Sequence, residues 1–310
     1  MTKYILKRSV VSIFTILAVI TLIFFLIRML PGDPFTSEKE IPLAVRQNML
    51  ARFGLDKPLY MQYLLYLKNF FLQGDMGPSM KYETRSVRDI IFYSFPASAK
   101  IGLLVVLASL FAGINMGVVA AMSQGRLPDR SSMFLVTLGV TIPNFVLSNL
   151  LILFFSIKLK ILPPTGYGGF KYLFMPVVAL SGYSTAFIAR LTRSKYLEVM
   201  QQDYIRTARA KGMSRFSVVF KHAMRNAIIP VITYLGPLVA NVLTGSFVVE
   251  TIFAIPGLGR EFVLSISNRD YSLILGVSIF YSCFVVLCNF LVDVIYVFID
   301  PRIRLGDAGQ

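Results

Sequence analysis

Six long stretches of this chain run without one charged side chain: 9–27, 101–125, 131–157, 172–189, 226–249 and 271–292. A hydrocarbon core of about 30 Å needs roughly 20 apolar residues in a helix. Six such runs in 310 residues leave no water-facing globule to build. Apolar residues make up 55% of the chain and charged residues only 15%. An ordinary soluble domain carries about a quarter charged residues. The reading is an all-α integral membrane protein with six transmembrane helices. The last run continues past Asp293 toward residue 299. Six crossings place both termini on one side.

Lys and Arg number 31 against 16 Asp and Glu, a net charge of +15. No run of five basic residues occurs, so the surplus reads as membrane orientation rather than nucleic-acid binding. Cations gather in the N-terminal tail (Lys3, Lys7, Arg8), in the loop after the second span (Arg126, Arg130), at the C-terminal end (Arg302, Arg304) and above all in 190–227, with nine cations against two acids. Segment 31–97, on the opposite side, holds eight cations and seven acids. The positive-inside rule then puts both termini in the cytoplasm. The first span has a signal-like basic start, but its apolar run is long and leads into Arg28 and the PGDP turn at 31–34 with no small-x-small cleavage site. An uncleaved anchor is expected.

Four regions follow: a tail and first span (1–30), an extracytoplasmic helical cap (31–97), a transmembrane core (98–300) and a cytoplasmic tail (301–310). In the cap, helices are expected over 42–53 and 59–72, with Tyr60, Leu64, Leu67 and Phe71 as the packing stripe of the second. A third should start at Ser86 and end before Pro96. The two thiols, Cys283 and Cys288, fit neither a CxxC pair nor a zinc knuckle and read as inert.

Between the fourth and fifth spans, the sequence writes a helix, a glycine elbow and a second helix (segment 198–230). Asp203 is the expected N-cap, Ala208 and Ala210 favour helix, and Gly212 supplies the positive-φ stop; Ser214 can cap the second helix. Tyr204, Ile205 and Ala208 gather on one side, Arg206 and Arg209 toward another. From composition alone, this is a solvated basic loop.

The motifs go further. Tyr204, RTARAKG at 206–212 and HAMRNAIIP at 222–230 resemble the coupling segment of permease subunits of ATP-binding cassette importers, in the dipeptide, oligopeptide and nickel branch. YILKR at 4–8, LPGDP at 30–34, GLDKP at 54–58, VETIFAIPGLG at 249–259, RDY at 269–271 and DPRIR at 300–304 extend the resemblance over nearly the whole chain, with the B-type subunit of oligopeptide permeases the best match. The sugar-importer Glu-Ala-Ala is Arg206-Thr207-Ala208 here. The resemblance implies the type I importer permease fold, six helices with the cap between the first two, and half of a peptide pathway in the bacterial inner membrane. It implies a homologous second permease, two cytoplasmic ATPases that grip Asp203, Tyr204, Arg206, Thr207, Ala208, Arg209, Ala210, Lys211 and Gly212, and an extracytoplasmic peptide-binding protein. ATP and Mg would be bound by the ATPases, and no cofactor by this chain, which has no GxxxxGK[ST] phosphate loop.

Nothing else in the sequence argues for an enzyme. Its one histidine, His222, stands alone, with no HExxH or nucleophile elbow. Asn144, Asn241, Thr244 and Ser246 are candidate pathway-lining residues, since amides and hydroxyls attract a peptide mildly; interhelical hydrogen bonding is the competing role. Asp293, beside Asn289 on the last helix, and Glu250 read as structural contacts, Glu250 as a cap or rim contact. Gly113 and Gly117 form GxxxG, a close-packing signal, and Pro143, Pro230 and Pro237 should kink their helices. A stand-alone secondary carrier would want midplane ionisable groups and an internal repeat; neither stands out. Dipeptide, nickel or glutathione transport remains the alternative inside the family.

Overall fold

The computed structural model describes residues 2–29, 43–82, 84–243 and 246–299, all helices and connections apart from an isolated bridge between Pro78 and Ser86. In chain order the helices are α1 (Thr2–Met29), α2 (Leu43–Arg52), α3 (Leu59–Gln73), α4 (Val87–Met122), α5 (Leu127–Thr141), α6 (Asn144–Leu151), α7 (Phe170–Met200), α8 (Asp203–Ala210), α9 (Arg215–Ser217), α10 (Met224–Ala227), α11 (Ile229–Leu243), α12 (Phe247–Ile252), α13 (Leu258–Ser267) and α14 (Tyr271–Ile299). α6 continues as a wider turn over Ile152–Lys158, closed by an i→i−5 bond from Leu159 N–H to the Phe154 carbonyl (2.9 Å). A second such turn, Val218–Ala223, joins α9 to α10.

Five stretches are single helices, or helices in series, long and apolar enough to cross a bilayer: Leu6–Met29, Val87–Met122, Phe170–Met200, Met224–Leu243 and Tyr271–Leu291. The sixth expected crossing, 131–157, is broken. α5 and the α6 segment meet at 106°. The break falls at Ile142-Pro143, where proline has no N–H to give the helix and forces its predecessor out of the helical region. Ile142 accordingly sits in extended geometry, with φ −85° and ψ 117°.

Pro96 behaves differently. The expected helix end before it does not occur, and α4 runs straight through. Losing one backbone bond is outweighed by the packing on the N-terminal side of this long helix, where Val87, Ile90 and Ile91 are buried. The fourth span also runs on, as α7, through 190–200, where the charge pattern suggests a loop. The fifth expected span, 226–249, is divided, α11 ending at Leu243 and the last residues of the run opening α12; α13 has no counterpart in the sequence reading.

The described residues fall into two compact units. One comprises the chain up to Ala97 together with Pro256–Val297, so α14 belongs with the cap and α1 rather than with a 98–300 core. In it, α3 packs through Tyr63, Tyr66, Leu67 and Phe70 against Ile20, Phe24, Ile274 and Ile279. This corrects the expected stripe. Tyr60, Leu64 and Phe71 are exposed, because α3 is apolar nearly all round and periodicity could not choose its inward face. Asp270 closes the unit. Only 1% exposed, it caps α14 by accepting from Leu273 N–H (3.0 Å), and it also accepts from the Ser79 hydroxyl and Met80 N–H (3.1 Å).

The other unit, Ser98–Ile255, is assembled on α7. A Cβ on Gly117 would lie 2.6 Å from the Ala189 carbonyl oxygen, and one on Gly113 would lie 2.8 Å from Ile188 Cβ. The GxxxG pair thus seats α4 directly on α7. Gly139 and Gly182 do the same for α5 and α7, a Cβ on Gly139 falling 2.8 Å from the Gly182 oxygen. Arg193 of α7 makes a two-pronged ion pair with buried Asp129 at the start of α5, both bonds 2.8 Å. That cation, one of the orienting charges, is committed to the fold.

Candidate functional site

The elbow is built as a rigid knob. α8 begins at Asp203; Gln202, in extended geometry (φ −72°, ψ 148°), occupies the N-cap position without a side-chain bond, so Asp203 is the first helical residue and not the cap. Its charge still suits a helix N-terminus. The Asp203 carboxylate meets Arg206 at 3.4 Å, and the Thr207 hydroxyl donates back to the Asp203 carbonyl (3.0 Å). At the other end Gly212 takes φ +73°, its N–H donating to the Arg209 carbonyl (3.0 Å) and Met213 N–H to the Ala208 carbonyl (3.3 Å). This paired pattern is the Schellman termination, which needs a left-handed residue where the helix reverses.

Two side chains anchor the knob. Ile205 is fully buried and Ala208 6% exposed, packed with Ala121 of α4, Tyr196 of α7 and Val218, Val219, Ala223 and Ala227 beyond the elbow. Burying Ile205 is worth about 2 kcal/mol. Ala208 therefore faces the chain's own interior. Tyr204 is half-exposed, its hydroxyl accepting from Asn226 Nδ2 (2.7 Å), which ties α8 to the end of α10. Arg206, Thr207, Arg209, Ala210, Lys211 and Gly212 all lie at the surface, and a Cβ on Gly212 would meet nothing within 4 Å. The exposed face is thus cationic around a bare backbone corner.

Behind the knob lies a cavity of about 450 Å³ whose walls include Met122, Tyr196, Met200, Arg209 and Met213. Sequence reading did not single out these methionines; their flexible side chains can follow a displacement of α8 without opening a gap. Ser214 caps the next helix, accepting from Ser217 N–H (3.3 Å). The wide turn at Val218–Ala223 follows, carrying His222, whose Nε2 is buried and has no hydrogen-bond partner among the described residues. Turns of this kind are rare and recur at functional sites.

A second locus gathers the expected pathway residues. Asn144, Asn241 and Ser246 line one cavity of about 330 Å³ together with Tyr183, Ser184 and Phe247. The break at Pro143 delivers Asn144 to it, α7 supplies Tyr183 and Ser184, and the junction of α11 with α12 supplies the rest. Ser246 has a structural duty as well, capping α12 through Val249 N–H (3.4 Å). Thr244 lies outside the described residues. None of the elbow residues lines this cavity. Glu250 corrects an expectation: it is 1% exposed, not at a rim, and accepts from the Ser98 hydroxyl of α4 (2.7 Å). The side chain of Asp293 lies outside the described ones.

Residues 113–305 match the family described as the inner membrane component of binding-protein-dependent transport systems, and residues 1–102 match its N-terminal companion. The chain belongs to this family. The dipeptide transport system permease protein DppB of Bacillus subtilis is 45% identical over 309 residues, all of both chains. The oligopeptide transport system permease proteins OppB of Haemophilus influenzae and Escherichia coli are each 43% identical over 306 residues, 98% of this chain and all of theirs. Among solved structures, an amino acid ABC transporter crystallised with histidines matches with a TM-score of 0.55 at 18% identity, over 67% of this chain and 93% of that one. That likeness supports the shared permease fold. Family membership makes the chain a multi-pass membrane component of a transport system.

Proposed function

We propose that this chain is one permease subunit of an ATP-driven importer of oligopeptides, forming half of the pathway with a homologous partner and moving short peptides inward by alternating access. The observation that carries the reading is the full-length kinship with peptide permeases together with an elbow whose cationic face is exposed and whose apolar face is locked into the fold. Its termini and elbow face the cytoplasm, in keeping with the cation count of the 190–227 segment.

In this mechanism two ATPase subunits hold ATP and Mg and supply the work; this chain is non-catalytic. An ATPase groove takes the α8 knob, with Arg206, Arg209 and Lys211 setting its orientation and the bare corner at Gly212 admitting close backbone contact. A push on α8 passes through Ile205 and Ala208 into Tyr196 and Ala121, then through the wide turn at Val218–Ala223 to α11. α11 ends at the cavity that holds Asn144 and Asn241, whose amides offer a peptide backbone donors and acceptors without selecting a side chain. An extracytoplasmic binding protein delivers the peptide. The dipeptide relative, as similar as the oligopeptide ones, favours dipeptides as the second reading.

The test is co-expression with the second permease, ATPases and binding protein, followed by uptake of labelled di-, tri- and pentapeptides into proteoliposomes. ATP-dependent uptake of the longer peptides is expected. Gradient-driven uptake by this chain alone, or an assembled complex whose ATPases leave the elbow untouched, overturns the proposal.

A further inference from the structure

The unit formed by α1, the cap and α14 holds a cavity of about 290 Å³ that the transport reading does not use. Its wall is polar on one side. Among the described residues, Arg28, Arg52 and Lys57 line it against one acid, Asp75, and none of the three cations forms an ion pair. The guanidinium of Arg28 rests over the Phe24 ring at 5.3 Å from its centre.

Two buried polar atoms at this wall have no partner among the described residues: Gln62 Oε1 and the Tyr66 hydroxyl. The Gln62 amide nitrogen donates to the carbonyls of Lys57 (2.7 Å) and Leu55 (3.4 Å). Its Oε1 is thereby left as an acceptor in want of a donor. Burial pushes the Tyr66 hydroxyl well above the ordinary phenol range, with Cys283 and Asp75 adding to it, so it stays protonated and able to donate. Leaving such groups unmatched is costly. The cavity therefore asks for a ligand that carries negative charge and hydroxyl or amine hydrogens together.

Its level in the membrane narrows the source. Arg28 is the penultimate residue of the Leu6–Met29 span, and Leu22, Leu26 and Met29 beside it are exposed. Those side chains form an apolar track where an acyl chain can lie. Ligand cavities usually run from about 300 to about 1,000 Å³. At about 290 Å³ this one is at the small end, suited to a headgroup rather than to a peptide of several residues. Basic pockets between membrane helices on the cytoplasmic side bind anionic headgroups; here the cations stand at the opposite end of α1, and their hydrogen-bonded pairing with a phosphate is the same in either leaflet. We propose that this cavity holds the headgroup of an anionic, hydroxyl-bearing glycerophospholipid of the phosphatidylglycerol class, drawn from the leaflet at the C-terminal end of α1.

The experiment uses the complete transporter with its partner subunits, washed free of loosely held lipid and then titrated with phosphatidylglycerol, phosphatidylcholine, glycerol phosphate, inorganic phosphate or a tripeptide. Bound lipid is read by native mass spectrometry, and thermal stability in parallel. Phosphatidylglycerol alone should bind and raise the midpoint. Arg28→Gln and Lys57→Gln should each weaken it about fivefold. Lys68→Gln, exposed on α3 outside the cavity, should leave it unchanged. Tyr66→Phe should weaken binding while preserving assembly. If Arg28→Gln fails to insert, the exposed Lys57 position decides alone. Equal retention in the Lys57→Gln protein, equal stabilisation by the free phosphates, or displacement by tripeptide overturns the proposal. So does a wild-type complex that takes no lipid until Asp33, Glu38 and Glu40 are neutralised, since the cations would then be serving the chain's own 30–42 segment, which lies outside the described residues.

Discussion

Two aspartates stand at the beginnings of helices in this protein and lead opposite lives. Asp270, before α14, is 1% exposed and accepts from the Ser79 hydroxyl and from the N–H groups of Met80, Lys81 and Leu273. Asp203, at the start of α8, has a side chain 95% exposed and, among the described residues, a single contact, with Arg206 at 3.4 Å. The same carboxylate is spent on folding in one unit and left at the surface in the other. A buried charge is retained where several donors surround it, whereas an exposed ion pair contributes little stability and stays free to meet a partner.

That contrast can be broken from either side. Asp270→Ala leaves the Ser79 hydroxyl and the Met80 and Leu273 N–H groups without their acceptor and should lower folded stability by about 3 kcal/mol, read as the loss of thermal midpoint in detergent. Ser79→Ala on top of it should add less than Ser79→Ala alone, because the Ser79–Asp270 bond is already gone; what remains is the loss of the Ser79 hydroxyl as acceptor for Lys81 N–H (3.2 Å) and Tyr82 N–H (2.9 Å). Arg193→Ala strands the Asp129 carboxylate and should cost about 2–3 kcal/mol; Asp129→Asn in the same chain should recover much of that, which a double-mutant cycle measures. Gly212→Ala should cost about 1 kcal/mol by forcing a Cβ into the left-handed region, whereas Gly212→Leu should abolish ATP-dependent uptake while membrane insertion persists. Normal uptake by the leucine variant would remove α8 from the mechanism.

Asp203→Asn should change stability by less than about 0.5 kcal/mol, and any transport loss it causes belongs to partner recognition. The smallest expected effect is a pH dependence at Glu261 in α13. Burial raises its carboxyl above the ordinary range, with Arg260 and Arg85 opposing. A raised folded value means the contribution to stability is full below the unfolded carboxylate value and fades as pH rises through the folded one. Glu261→Gln should flatten that part of the stability-pH curve, measured from the ordinary carboxylate range up to neutrality.

The helices of this protein were legible because lipid imposes a one-dimensional constraint: a span must be long, apolar and free of charge, and each of those properties is local in sequence. The elbow was legible for a similar reason, since Gly212 and Ser214 act within a few residues of themselves. Tertiary structure decided the rest. Pro143 breaks its helix and Pro96 does not, because only the second is held by buried neighbours such as Val87 and Ile91. The inward face of α3, the burial of Ala208, the fork between Arg193 and Asp129, and the meeting of Asn144 with Asn241 all depend on partners far away along the chain. A side chain's local pattern states what it can do; which of those capacities is used depends on what the folded chain brings against it.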